Sequence, residues 1–239
     1  MKYKNLEYNT WSELKAGITY DVCKGDFFPY NRYIFRGQEN ADWSLVSTFD
    51  RNYSHFSFSR RQDIEKNLIE EFRRMCVEWE GKNNFNNYSI EQIITAGQHY
   101  GLPTRLLDWT YSLYVAAFFA FSNERTCENA AIWVIDSEHE IWQGRYGVTI
   151  EKCRIKENER QKYQYGIFTR NNTISNTLEE YIDDCAKKCD VEGALFKAIL
   201  SKEERELVLH DLDMMGINYY SLFRGLEGCA KATTMKVLS

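Results

Sequence analysis

Proline is scarce in this chain: Pro29 and Pro103 are the two among 239 residues. No Ser/Gly-rich stretch or single-sign charge block stands out as a linker, so the sequence reads as one domain over 1–239. Long apolar runs are also missing, and Met1–Glu7 lacks the apolar core of a secretion signal. A cytoplasmic protein without membrane attachment is therefore expected. The seven cysteines form no CxxC pair and have no histidine cluster beside them, so no metal centre is expected. Cys185 and Cys189 alone are close, at the spacing of one helical face, and free thiols in a reducing compartment fit best. There is no P-loop, dinucleotide-binding glycine fingerprint, HExxH or GxSxG. Without an acidic cluster beside a lysine, a metal-dependent nuclease is disfavoured. The net charge of −5 argues against a surface that coats nucleic acid, although Arg32, Arg36, Arg51, Arg60, Arg61, Arg73 and Arg74 gather in the first third.

At 44% hydrophobic and 15% aromatic, the chain has ample material for a core. Thr10 followed by Glu13 marks a helix start, and Tyr33–Arg36 reads as a strand ending at Gly37. Apolar residues at 64, 68, 69, 72, 75, 76 and 79 give residues 62–80 a helical period, and a polar loop follows over 81–87. Ser89 and Gln92 form a capping box for a helix running to Tyr100, which Gly101 terminates. Leu106–Trp109 reads as a short extended piece and 112–123 as a buried helix. Ala130–Ile135 reads as a central strand, Ile141–Trp142 as part of a short element, and 177–189 and 202–215 as helices. Helices and strands mix without a βαβα alternation, so the class is α+β.

Two islands concentrate the chemistry. The first is Tyr33-Ile34-Phe35-Arg36-Gly37-Gln38, followed by Trp43, which reads as a core residue. The second is Gln98-His99-Tyr100-Gly101-Leu102-Pro103-Thr104-Arg105-Leu106-Leu107-Asp108-Trp109-Thr110. Polar groups set against apolar chain are costly unless paired or used, so these are candidate site residues. Arg36 can clamp a phosphate or carboxylate, or pair with Asp108. Gly37 lets a ligand or another chain approach the backbone. His99 titrates near neutrality and is a candidate acid/base, or else a capping residue. Arg105 and Asp108 can pair with each other, or Arg105 can neutralise a pyrophosphate. Tyr33, Tyr100 and Trp109 are either core aromatics or stacking platforms.

Together the islands resemble the FRG domain, a prokaryotic and phage family named for its Phe-Arg-Gly motif. The segment from Arg160 to Thr169, with Gln164, Gly166 and Phe168, is similar to a later element of that family. Gly216-Ile217 with Ser221-Leu222-Phe223 is similar to its closing motif, so the likeness extends over roughly residues 30 to 230. Phe223-Arg224-Gly225 repeats the three letters and reads as coincidence.

The strand-end Arg36-Gly37 is in turn similar to the first signature of arginine-type mono-ADP-ribosyltransferases. Leu106–Ser112 with the helix after it looks like a remote version of their second signature, and Gln164-Tyr165-Gly166 falls where their third is expected. That likeness implies a split β-sandwich of two small, mostly antiparallel sheets flanked by helices. It implies NAD as substrate, with Arg36, His99, Asp108 and Gln164 in catalytic roles. Arg36, Gly37, Gln38, Tyr100, Arg105, Trp109 and Thr110 would bind NAD. The acceptor would be RNA, DNA or protein, the setting a toxin or phage-defence effector, and an antitoxin or chaperone a possible partner. The third signature departs from the pattern: Gln164 cannot serve as a base, Gly166 stands where a glutamate is expected, and Glu157 and Glu159 do not match the spacing. The alternative is a non-catalytic nucleotide- or partner-binding module with Arg36, Arg105, Asp108 and Gln164 as a structural polar core.

Overall fold

A computed structural model describes residues 3–25, 27–79, 85–123, 127–152, 162–223 and 225–238. The strands are β1 (Lys4–Tyr8), β2 (Tyr33–Gln38), β3 (Leu106–Thr110), β4 (Asn129–Asp136), β5 (Val148–Glu151), β6 (Gly166–Asn171) and β7 (Leu195–Ser201). They form a mixed sheet in the order β1-β7-β4-β2-β3-β6-β5, antiparallel except for the β1–β7 pair. Helices flank it: α1 (Trp11–Cys23), α2 (Thr48–Tyr53), α3 (Phe58–Glu78), α4 (Ile90–His99), α5 (Leu113–Phe121), α6 (Leu178–Cys185), α7 (Arg205–Met214), α8 (Tyr219–Leu222) and α9 (Leu226–Leu238). The α+β expectation holds. None of these helices is long and apolar enough to cross a membrane.

β4 is apolar along almost its whole length because it is covered on both faces. Alternate residues enter different cores, as the two-residue period of a strand requires. Ala130, Ile132 and Val134 join the core beneath α1, α5 and α7. Ala131, Trp133 and Ile135 join a second core that includes Leu178, Tyr181 and Ile182 of α6. A third, smaller core joins Ile93, Ile94 and Ala96 of α4 to Leu106 and Phe168.

The sheet differs from the expected pair of splayed sheets, since its hydrogen bonding is continuous across all seven strands. The continuity is thin at one place. β2 pairs with β4 from Tyr33 to Gln38 and β3 pairs with β6 along its whole length, whereas β2 and β3 meet only at Phe35 and Thr110. Beyond that pair the strands diverge, and the open side of β2 from Arg36 onward borders a cleft.

Gly37 is required by the helix above it. A Cβ placed there would lie 1.9 Å from the carbonyl oxygen of Ala116 and 2.7 Å from the amide nitrogen of Ala120, both in α5. The close approach expected at this glycine is thus that of α5, whose sequence LYVAAFFAF is apolar on every side and is buried accordingly. The Ser89 capping box is present, and α4 ends before Gly101, whose φ is +90°.

Several boundaries differ from the sequence reading. α3 begins at Phe58 because the Ser57 hydroxyl accepts from the Arg60 amide and caps it, a start that the apolar period alone does not reveal. Residues 202–204 form a 3-10 turn ahead of α7, and Glu140–Trp142 forms another. Phe85–Asn87 is a 3-10 turn, while 81–84 lie outside the described residues.

Candidate functional site

The fork between β2 and β3 opens into a cleft of about 930 Å³. Arg36, Gly37 and Gln38 of β2 line it, as do Asp108, Trp109 and Thr110 of β3. From α4 come Thr95, Gln98 and His99. These three are spaced i, i+3 and i+4, so they share one face of the helix. Trp43, Arg51, Gln164 and Phe223 complete the parts of the wall that bear on its chemistry.

Arg36 sits where the strands part. Its Nη1 donates to the main-chain oxygen of Asp108 at 2.7 Å. Its Nε is enclosed and has no hydrogen-bond partner. Burial pulls the guanidinium pKa down, Asp108 opposes this, and the nearby positive charge of Arg51 adds to the lowering. A guanidinium held with a donor unused, close to a second arginine, is poised for an anion.

Asp108 is exposed and points its carboxylate toward α4 rather than toward Arg36. Its Oδ2 accepts from Gln98 Nε2 at 3.0 Å. The direction of that bond is set further back. The Leu106 amide donates to the Thr104 hydroxyl at 3.3 Å, and that hydroxyl donates to Gln98 Oε1. With its oxygen engaged, Gln98 must present its NH₂ group to Asp108. The hydroxyl of Thr95, buried to 1% exposure, has no hydrogen-bond partner and lies against the same cleft.

On the far wall, Thr110 Oγ1 donates to the Gln164 main-chain oxygen at 2.7 Å. The Gln164 side chain donates to the Leu222 main-chain oxygen at 3.2 Å. The late motif and the closing motif therefore meet at the rim, where Phe223 also stands. Arg160, Gln161, Glu157, Glu159 and Arg224 lie outside the described residues.

The structure thus gathers Arg36, Gly37, Gln38, His99, Asp108, Thr110 and Gln164 at one cleft. Gln38 is nevertheless occupied, donating to the Ser44 main-chain oxygen at 3.3 Å and accepting from Trp133 Nε1 at 2.7 Å. Trp109 borders the cleft, but its ring is in the core and its Nε1 donates to Thr169 Oγ1 at 3.0 Å. Tyr33 is a core residue. Tyr100 is exposed outside the cleft lining, with its ring centroid 4.9 Å from that of His99.

Arg105 is elsewhere altogether. It is 2% exposed, with Nη2 3.2 Å from Asp50 Oδ1 and Nε 3.7 Å from Glu65 Oε2, and its Nη1 donates to the Asn171 main-chain oxygen at 3.2 Å. The expected Arg105–Asp108 pair does not form, because an odd spacing in extended chain puts the two side chains on opposite faces. Trp43 is a correction in the other direction: it is 50% exposed and lines the cleft rather than the core. Arg51 and Thr95 line the cleft although neither lies in the two islands, and Gln98, which opens the second island, lines it with them. The i, i+3, i+4 relation of Thr95, Gln98 and His99 is the one signal in the sequence that could have found two of them.

Among the described residues, no group of three His, Cys, Asp or Glu side chains is placed to hold a metal ion. No curated protein and no solved structure matches the chain. A family model, that of the FRG domain, matches residues 31–129, which run from just before β2 to the first residue of β4 and supply Arg36, α4 and Asp108. That stretch of the chain is thus similar to the FRG domain, and it builds most of the cleft.

Proposed function

We propose that the cleft binds NAD and that the protein transfers ADP-ribose from it to a macromolecular acceptor. The observation that carries this reading is Arg36, a half-buried guanidinium with an unused Nε at the point where a forked sheet opens. In this reading Arg36 and Arg51 bind the pyrophosphate. The open side of β2 beyond Phe35 offers main-chain groups to the carboxamide, and Asp108, held by Gln98, accepts from a ribose hydroxyl. The bond between the nicotinamide nitrogen and the ribose anomeric carbon breaks with both electrons going to nicotinamide, which leaves. An acceptor oxygen or nitrogen bonds to that carbon and gives up its proton, for which Asp108 and His99 are the bases at the site. Breaking such a bond depends chiefly on electrostatic support for an oxocarbenium-like state and on a leaving group held in place.

One observation favours a second reading, a nucleotide-binding module without catalysis. The Gln164 amide is spent on the Leu222 carbonyl, and an amide is no base in any case. The two readings separate when purified protein is incubated with labelled NAD and cell extract. Transfer of label to RNA, DNA or protein, lost by roughly a hundredfold or more in Arg36→Lys and in Asp108→Asn, is the expected outcome for the transferase. Retained NAD binding by calorimetry with neither transfer nor NAD hydrolysis supports the binding module. No binding at all by the folded wild type overturns both.

A further inference from the structure

Among the described residues that line the cleft, Trp43 is the large aromatic side chain left most exposed. It is half exposed, and among the described residues no aromatic ring or cation is stacked on its indole. The other tryptophans are different. Trp11, Trp109, Trp133 and Trp142 are buried, and Trp79 is exposed outside the cleft lining.

The chain on either side of Trp43 is tied down. Ala41 is buried, and its amide donates to the Asn129 main-chain oxygen at 2.9 Å. The Asp42 amide donates to Asn40 Oδ1 at 2.8 Å, closing a tight turn. The Ser44 main-chain oxygen accepts from Gln38 at 3.3 Å. Leu45 is buried, and its amide donates to both carboxylate oxygens of Glu179, at 3.0 and 3.1 Å. An exposed indole between two buried and hydrogen-bonded neighbours is a platform built in advance, so a ligand that stacks on it need not pay to order the loop. A planar π-face lining the same cleft as two guanidinium groups, Arg36 and Arg51, matches a ligand that joins a flat ring to a phosphate.

We infer that Trp43 is the stacking platform for a heteroaromatic ring of the nucleotide whose phosphates lie against Arg36 and Arg51. This rests on the reading of the cleft as a nucleotide site and adds which residue recognises the ring.

The test is titration of the intact protein with NAD, AMP, nicotinamide mononucleotide and ribose 5-phosphate, followed by tryptophan fluorescence and by calorimetry. NAD is expected to quench the wild type. Trp43→Phe keeps calorimetric binding and loses the quench, Trp43→Ala weakens binding roughly tenfold or more, and Trp79→Phe behaves as wild type. Ribose 5-phosphate has sugar and phosphate but no ring, so its affinity is expected to be equal in wild type and Trp43→Ala. Loss of AMP binding in Trp43→Ala identifies the ring as adenine, and loss of nicotinamide mononucleotide binding identifies it as nicotinamide. Either supports the platform. Unchanged affinity for NAD in Trp43→Ala overturns the inference while leaving the nucleotide site standing, and so does an equal loss for ribose 5-phosphate. A wild type that binds none of the nucleotides overturns the nucleotide reading and the platform with it.

Discussion

At the scale of the residue, two arginines from the motif islands have opposite fates, one at the cleft and one away from it. Arg36 comes out at the fork with an unused donor, whereas Arg105 is buried in an ion cluster. There Asp50 Oδ1 is 3.1 Å from Arg61 Nη1 and 3.2 Å from Arg105 Nη2. The rings of Phe49 and Phe58 lie 5.3 and 5.5 Å from the Arg105 guanidinium and exclude water. Asp50→Ala would leave two buried cations facing each other. It is expected to cost about 3–5 kcal/mol, visible in chemical denaturation as a lower midpoint with an unchanged slope. Asp108→Asn removes a charge that is exposed and hydrogen-bonded to an amide, and should shift the same midpoint little. A comparable loss in both would mean that Asp108 belongs to the structural framework and is not a site residue.

At the scale of the element, Gly37 ties the motif to the packing. Its backbone is not in the left-handed region, so conformational freedom does not explain it; the carbonyl of Ala116 does. Gly37→Ala must push α5 off β2 or bend β2 away from β4. A loss of about 3 kcal/mol or more is expected, at the upper end for overpacking because backbone rather than a mobile side chain is in the way. A melting curve within a degree or two of wild type would show that α5 can slide. The elements around this contact were readable in advance: the β-rich run before Gly37, the capping box at Ser89, the apolar helix after Ser112 and the all-apolar β4. Harder to read were β1, β5, β6 and β7, which are short or draw their partners from distant sequence. β1 pairs in parallel with β7 across some 190 residues, and no local period encodes such a pairing. The position of Trp43 departs from the sequence expectation for a related reason. Composition says that tryptophan is usually buried, while the Ala41 and Leu45 amides on either side of it donate to acceptors on Asn129 and Glu179, far along the chain.

At the scale of the whole molecule, the sheet is nearly severed at the site and the core is not. The second core takes Leu107 and Trp109 from β3, Ile167 from β6 and Val148 from β5, together with Ile34, Trp133 and Leu195 from across the fork. The cleft therefore opens in one cooperative body, and the pH dependence of that body's stability is expected to follow carboxyl groups that the fold partly encloses. Glu151 and Glu179 have pKa values raised by burial, the first opposed by Arg170 and Thr149, the second by main-chain amides including that of Leu45 and by Lys197. An acid whose folded pKa lies above its unfolded value holds its proton longer in the folded state. Its contribution to stability is full below the unfolded value, about 4.3 for glutamate, and is lost as pH rises through the folded value. Asp184 and Asp211 have lowered pKa values, chiefly through side-chain hydrogen bonds from Lys187 and Lys15, and act in the opposite sense. The Lys187 pair is exposed and the Lys15 pair partly so, and both are screened by salt, so in 0.15 M salt the two glutamates should dominate. The melting temperature is thus expected to fall as pH rises from about 4.3 upward, and Glu179→Gln, which keeps an acceptor for Leu45 but cannot ionise, should flatten the fall. A melting temperature that climbs across this range, or a profile identical in Glu179→Gln, would place the titration elsewhere in the molecule.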